Sequence, residues 1–89
     1  MKVLYSKKFS NDLDHIATDR KLKKKLLHLI NQIKQIESLA ELENVRKIQG
    51  YDGYFRIRLG DYRLGVKITD KGLEMLRFLH RKDIYRRFP

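Results

Sequence analysis

The hydrophobic period of this chain changes once, near residue 45, and that change limits the fold more than any other feature. Before it, Leu22, Leu26, Leu29, Ile30, Ile33 and Ile36 recur every three or four residues, which lines one face of an α-helix. After it, Tyr54 to Leu59 and Tyr62 to Ile68 alternate apolar and polar residues, the period of a half-buried strand. Helices first and strands second make an α+β protein, with the helices gathered on one face of an antiparallel sheet. A chain of 89 residues leaves room for one domain, so residues 1–89 are expected to fold as a unit.

Local signals fill in the elements. Val3-Leu4-Tyr5 reads as a short first strand, and Ser6 as the N-cap of a helix carrying Phe9, Leu13, Ile16 and Ala17. Thr18-Asp19 ends that helix and caps the next, whose outer face carries Arg20, Lys21, Lys23, Lys24, Lys25 and Lys34. So short a link predicts an antiparallel helical pair. Ser38 and Glu41 have the spacing of a capping box. Val45 to Ile48 is a strand closed by Gly50, Gly60-Asp61 is a two-residue hairpin turn, and Thr69 to Gly72 is a second turn. Leu73 to His80 is the last strand, and Asp83 to Phe88 a helical turn with Ile84 and Phe88 packing back on the body. The expected architecture is β-α-α-β-β-β(-α), a two-layer sandwich with an antiparallel meander packed on a helical pair.

Charge narrows the function. Lysine and arginine number 21 against 11 acids, a net charge of +10. That excess calls for a polyanionic partner: nucleic acid first, an anionic membrane second, an acidic protein third. No stretch approaches the length of a membrane span, and Met1 to Lys8 does not read as a signal peptide, so a cytoplasmic location is expected. There is no cysteine, and His15, His28 and His80 are scattered, so no metal site or cofactor is expected. Residues 1–45 carry nine basic and six acidic residues, and residues 46–89 carry twelve and five. The first half is lysine-rich and the second arginine-rich. Arginine grips phosphate through a planar fork, which directs attention to the second half.

In the hairpin, Phe55, Ile57 and Leu59 share a face with Tyr62, Leu64, Val66 and Ile68. The other face then holds Tyr54, Arg56, Arg58, Arg63 and Lys67. A Gly60-Asp61 turn puts Arg58 directly opposite Arg63, and like charges so placed destabilise a sheet. Solvated faces of antiparallel sheets are often charged, but neither hairpin strand puts an acid on this one. An anion lying between the arginines would account for both facts. The tail, His80 to Arg87, adds a histidine that exchanges protons near neutral pH, a tyrosine and further arginines. Together these groups suffice for metal-free RNA cleavage by 2′-hydroxyl attack.

The segments Lys47-Ile-Gln-Gly50, Tyr54-Phe-Arg-Ile-Arg-Leu59, Gly60-Asp-Tyr-Arg-Leu64 and His80-Arg-Lys-Asp-Ile-Tyr85 resemble the RelE/ParE toxin superfamily over nearly the whole chain. The resemblance implies a type II toxin. In the RelE branch this is a ribosome-dependent endoribonuclease that cuts mRNA without metal. It assigns catalytic positions to Arg56, Arg58, Arg63, Arg81 and Tyr85, with Arg63 and Arg81 on the scissile phosphate. Lys47 matches a basic residue in the preceding strand. Lys67, Lys82 and Arg86 are expected to add RNA contacts. Arginine replaces two lysines of that branch at positions 56 and 58, and arginine is a poor general base; His80 is expected to fill that gap. The alternative is the ParE branch, which shares the fold and inhibits DNA gyrase without cutting RNA. Both branches imply a cognate antitoxin, which an acidic amphipathic segment would suit.

Overall fold

The computed structural model describes residues 1–89. The elements are β1 (Val3–Tyr5), α1 (Lys7–Asp14), α2 (Arg20–Gln35), a 3-10 turn (Leu39–Glu41), β2 (Val45–Lys47), β3 (Tyr54–Leu59), β4 (Tyr62–Thr69), β5 (Gly72–His80) and α3 (Arg81–Arg87). Each helical start has a chemical cause. The Ser6 hydroxyl accepts the Phe9 N–H at 3.0 Å, and the Asp19 carboxylate accepts the Leu22 N–H at 3.1 Å. Ser38 and Glu41 form the expected capping box. The Glu41 carboxylate accepts the N–H groups of Glu37 and Ser38.

The sheet runs β1-β5-β4-β3-β2. Strands β2 to β5 form the expected antiparallel meander, and β1 adds to its edge parallel to β5. One face packs against α1 and α2. Phe9, Leu26 and Ile33 from the helices meet Ile57, Leu64, Val66, Leu73, Met75 and Phe78 from the sheet in one core. A smaller cluster lies on the other face, where Ile84 and Phe88 pack with Ile48, Tyr54, Leu76 and Leu79. The tail therefore packs back as expected, on the face away from the helical pair. Gly65 makes this possible, because a Cβ there would lie 2.8 Å from the Phe88 ring.

A β-bulge in β5 decides which side chains reach which face. Gly65 registers with Arg77, and Val66 with Met75, so Leu76 has no partner of its own. Strict alternation would have sent Phe78 and His80 to the face of Glu74 and Leu76. The bulge reverses the phase, and Phe78 enters the main core. Arg77, beside the bulge, reaches α1. There the buried Asp12 accepts from Arg77 Nε at 2.8 Å, from Arg77 Nη2 at 3.0 Å and from the Phe78 N–H at 2.9 Å. The Asp12 hydrogen bonds outweigh the desolvation of Arg77 and raise its pKa above the usual arginine value. No helix is long and apolar enough to cross a membrane.

Candidate nucleic-acid interface

The hairpin register sets the site. The two-residue turn places Arg58 opposite Arg63 across β3 and β4, and β2 places Arg46 opposite Arg56. A depression of about 540 Å³ lies over these residues, lined by Asn44, Val45, Arg46, Arg56, Arg58, Arg63 and Tyr85. None of its arginines has a carboxylate partner, since the ion pairs of the chain are Asp12–Arg77 and Asp83–Arg86. Three contacts hold two of the arginines in place. Arg63 Nη1 donates to the carbonyl oxygens of Gly60 and Tyr62, both at 2.9 Å. The Arg56 guanidinium lies 4.6 Å from the centre of the Tyr85 ring, a cation–π contact. The remaining guanidinium N–H donors of the four arginines have no protein acceptor, so the depression is suited to a phosphate.

The structure gathers Arg56, Arg58, Arg63 and Tyr85 around this one depression. Arg81 opens α3 and does not line the depression. Its backbone N–H donates to the Asp61 carbonyl at 2.8 Å, which ties the start of the helix to the β3–β4 turn. Tyr85 lies four positions further on, so the two share a face of α3. Lys82 and Arg86 occupy a different, exposed face, and Arg86 pairs with Asp83 at 3.5 Å. Lys67 lies farther along the sheet, with its ammonium 4.9 Å from the centre of the Tyr54 ring.

Two further expected site residues lie on the opposite, helical face of the sheet. Lys47 registers with Phe55 and so belongs to the sheet face that carries the helical pair. His80 registers with Tyr62, whose ring packs against the main core, and stands edge-on to that ring at 5.5 Å. Its Nδ1 accepts the Lys82 N–H at 3.2 Å and caps α3. The bulge in β5 is the physical reason that His80 misses the arginine face.

Arg46 and Asn44 line the site without having been singled out in the sequence. The signal for Arg46 was present: Val45 is apolar and packs on the core, so its neighbour must face the other way. Asn44 carries no such signal. Its φ of 62° is a left-handed conformation that asparagine tolerates, and its carbonyl accepts the Arg58 N–H at 2.9 Å.

A family model described as the ParE toxin of the type II toxin–antitoxin system parDE matches residues 3–85. Toxin RelE3 of Methanocaldococcus jannaschii is 39% identical over 90 residues, spanning all of both chains. A chain of the RelB–RelE antitoxin–toxin complex from Methanococcus jannaschii superposes with a TM-score of 0.81 at 35% identity, over 97% of this chain and 99% of that one. A chain of the E. coli DinJ–YafQ complex shares the fold, with a TM-score of 0.73 at 22% identity over 94% and 97% of the two chains. The chain belongs to the RelE/ParE superfamily of type II toxin–antitoxin toxins.

Proposed function

We propose that this chain is a toxin that cuts mRNA on the ribosome, and that the arginine depression is its active site. The observation that carries the reading is the facing pair Arg58 and Arg63, unpaired by any acid and joined by Arg46, Arg56 and Tyr85. The identity with Toxin RelE3 supports the RelE branch. In the reaction the ribose 2′-oxygen loses its proton and bonds to the adjacent phosphorus, as the bond from phosphorus to the 5′-oxygen breaks and the 5′-oxygen takes up a proton. The products are a 2′,3′-cyclic phosphate and a 5′-hydroxyl. Arg58 and Arg63 hold the phosphate oxygens and oppose the charge that builds on them. Arg46 and Arg56 orient the flanking backbone, and Arg81, at the start of α3, adds a further positive charge. Arginine keeps its proton, so these residues supply charge and geometry without proton transfer. Tyr85 is the one lining residue whose hydroxyl can pass a proton, and it takes the role first expected of His80. Lys67, Lys82 and Arg86 add attraction for the polyanion from outside the depression. No metal or cofactor enters this scheme.

The toxin acts in the cytoplasm as a single domain and is held in check by a cognate antitoxin. An acidic antitoxin segment would neutralise the exposed arginines. The test is induction of the chain in growing cells, with mRNA cleavage and DNA breakage read in parallel. Cuts in mRNA that disappear with Arg63→Ala, without DNA damage, support the reading. Intact mRNA with a DNA-damage response would instead establish the gyrase-inhibitor alternative.

A further inference from the structure

The basic face does not end at the arginine depression. It runs on into a row of tyrosines. Tyr85 is 60% exposed and has Arg56 against its ring. Tyr54 precedes Arg56 by two residues, about 7 Å along the same face of the sheet. Tyr54 in turn meets Tyr51 at 6.0 Å between ring centres, in an edge-to-face arrangement. Tyr51 is 51% exposed.

The segment that carries Tyr51 is tied down at several points. Tyr51 N–H donates to the Ile48 carbonyl, and the Tyr51 carbonyl accepts the Tyr54 N–H. The Gly53 carbonyl accepts the Ile68 N–H at 2.8 Å, which anchors the loop to β4. Gly50 and Gly53, at φ of 82° and 81°, supply the left-handed turns that hold this shape. A large aromatic side chain held half in water on a braced loop gains little for the core. The ring of Tyr54 is already covered by Phe88 at 5.8 Å and by Lys67 at 4.9 Å.

We propose that Tyr51 is a base-stacking subsite for single-stranded RNA. In this arrangement a nucleotide backbone lies in the arginine depression, and a base displaced along β3 stacks on the Tyr51 ring, with Lys67 near the intervening phosphate. Exposed aromatics interleaved with fixed basic groups are what an unpaired strand needs, since every base has a flat face and every linkage a charge. The inference rests on the reading of the depression as a phosphate site, and it names the neighbouring contact that gives the bound strand its reach.

The experiment measures binding of a short fluorescent single-stranded RNA to the free protein, beside the same backbone carrying abasic positions. Three variants are compared with the original chain: Tyr51→Ala, Tyr51→Phe and Arg58→Ala. Stacking predicts that Tyr51→Ala weakens binding of the intact RNA roughly 5- to 100-fold. It predicts that Tyr51→Phe binds as the original does, and that the abasic strand does not distinguish Tyr51→Ala from the original. The chain has no tryptophan, so Tyr51→Trp gives a single reporter whose fluorescence the intact RNA should quench and the abasic strand should not. Binding that depends on Arg58 but not on Tyr51 overturns the subsite and leaves the phosphate site standing. Absence of RNA binding in the original chain overturns both, and an acidic protein then becomes the better occupant of this face.

Discussion

Arg58 and Arg63 face each other across β3 and β4 with no carboxylate to separate their charges. A facing like-charge pair lowers stability, and cross-strand pairs are worth about 0.2–1 kcal/mol. The fold therefore carries a small penalty at the point where the proposed site would hold its substrate. Arg58→Thr keeps a residue suited to a strand and removes the repulsion. It is expected to leave stability unchanged or raise it by about 0.5 kcal/mol, while mRNA cleavage falls about 100-fold or more. Urea unfolding and a cleavage assay on the same preparation check both. Loss of stability and activity together would mean that the arginine holds the sheet and not the RNA.

Asp12 carries a different kind of charge. Its carboxylate is buried and accepts three N–H groups from Arg77 and Phe78. Asp12→Ala leaves the Arg77 guanidinium without a counter-ion and the Phe78 N–H without an acceptor. Removing one partner of a buried pair costs about 3 kcal/mol. Asp12→Asn keeps an acceptor for Phe78 and is expected to cost less. Because the folded state raises the Arg77 pKa, its contribution is fully present below the ordinary arginine value and is lost as pH climbs from there through the raised one. Urea midpoints for the two variants should fall in that order, and an Asp12→Ala protein as stable as the original would refute the clasp.

Gly65 joins fold and site. A Cβ there would meet three atoms of the Phe88 ring at 2.8 Å, and a rigid ring cannot absorb that overlap. Gly65→Ala is expected to cost about 1–3 kcal/mol through overpacking. It should also displace α3, and with it the Tyr85 ring that packs on Arg56. Cleavage should fall even though residue 65 touches no substrate. Adding Phe88→Leu should recover part of both losses, which unfolding curves and rates on the double variant would reveal.

What could be read in the sequence was what local chemistry decides. Ser6, Asp19 and Ser38 are caps because their side chains reach N–H groups within the next turn. The facing of Arg58 and Arg63 followed from a two-residue turn, which fixes register without reference to the rest of the chain. Long-range pairing was not legible. The parallel docking of β1 on β5 joins residues near opposite ends of the chain. The bulge at Leu76 has no marker such as glycine or proline, yet it inverts the face of every later residue in the strand. Lys47 and His80 lie off the arginine face for two separate reasons. The first was placed by the resemblance, where alternation from Val45 would have pointed to Arg46. The second followed from the unseen bulge.

That inversion separates the two candidates for proton transfer. His80 stands against Tyr62 on the helical side of the sheet, where its Nδ1 is occupied by the Lys82 N–H. Tyr85 lies on the arginine side with its ring against Arg56. A capping side chain contributes about 1 kcal/mol, so His80→Ala should lower stability by that much and leave the cleavage rate within roughly threefold, a shift of about 0.7 kcal/mol in the barrier. His80→Asn can still accept the Lys82 N–H and should recover the stability. Tyr85→Phe should do the reverse, since it keeps the ring and its contact with Arg56 but removes the hydroxyl. Its stability should match that of the original chain, while the rate falls about 100-fold. Single-turnover cleavage on programmed ribosomes, with urea unfolding beside it, measures both axes for all three variants. A large rate loss in His80→Ala with Tyr85→Phe unaffected would reverse the assignment, and would require the His80 ring to reach the substrate from the other face of the sheet.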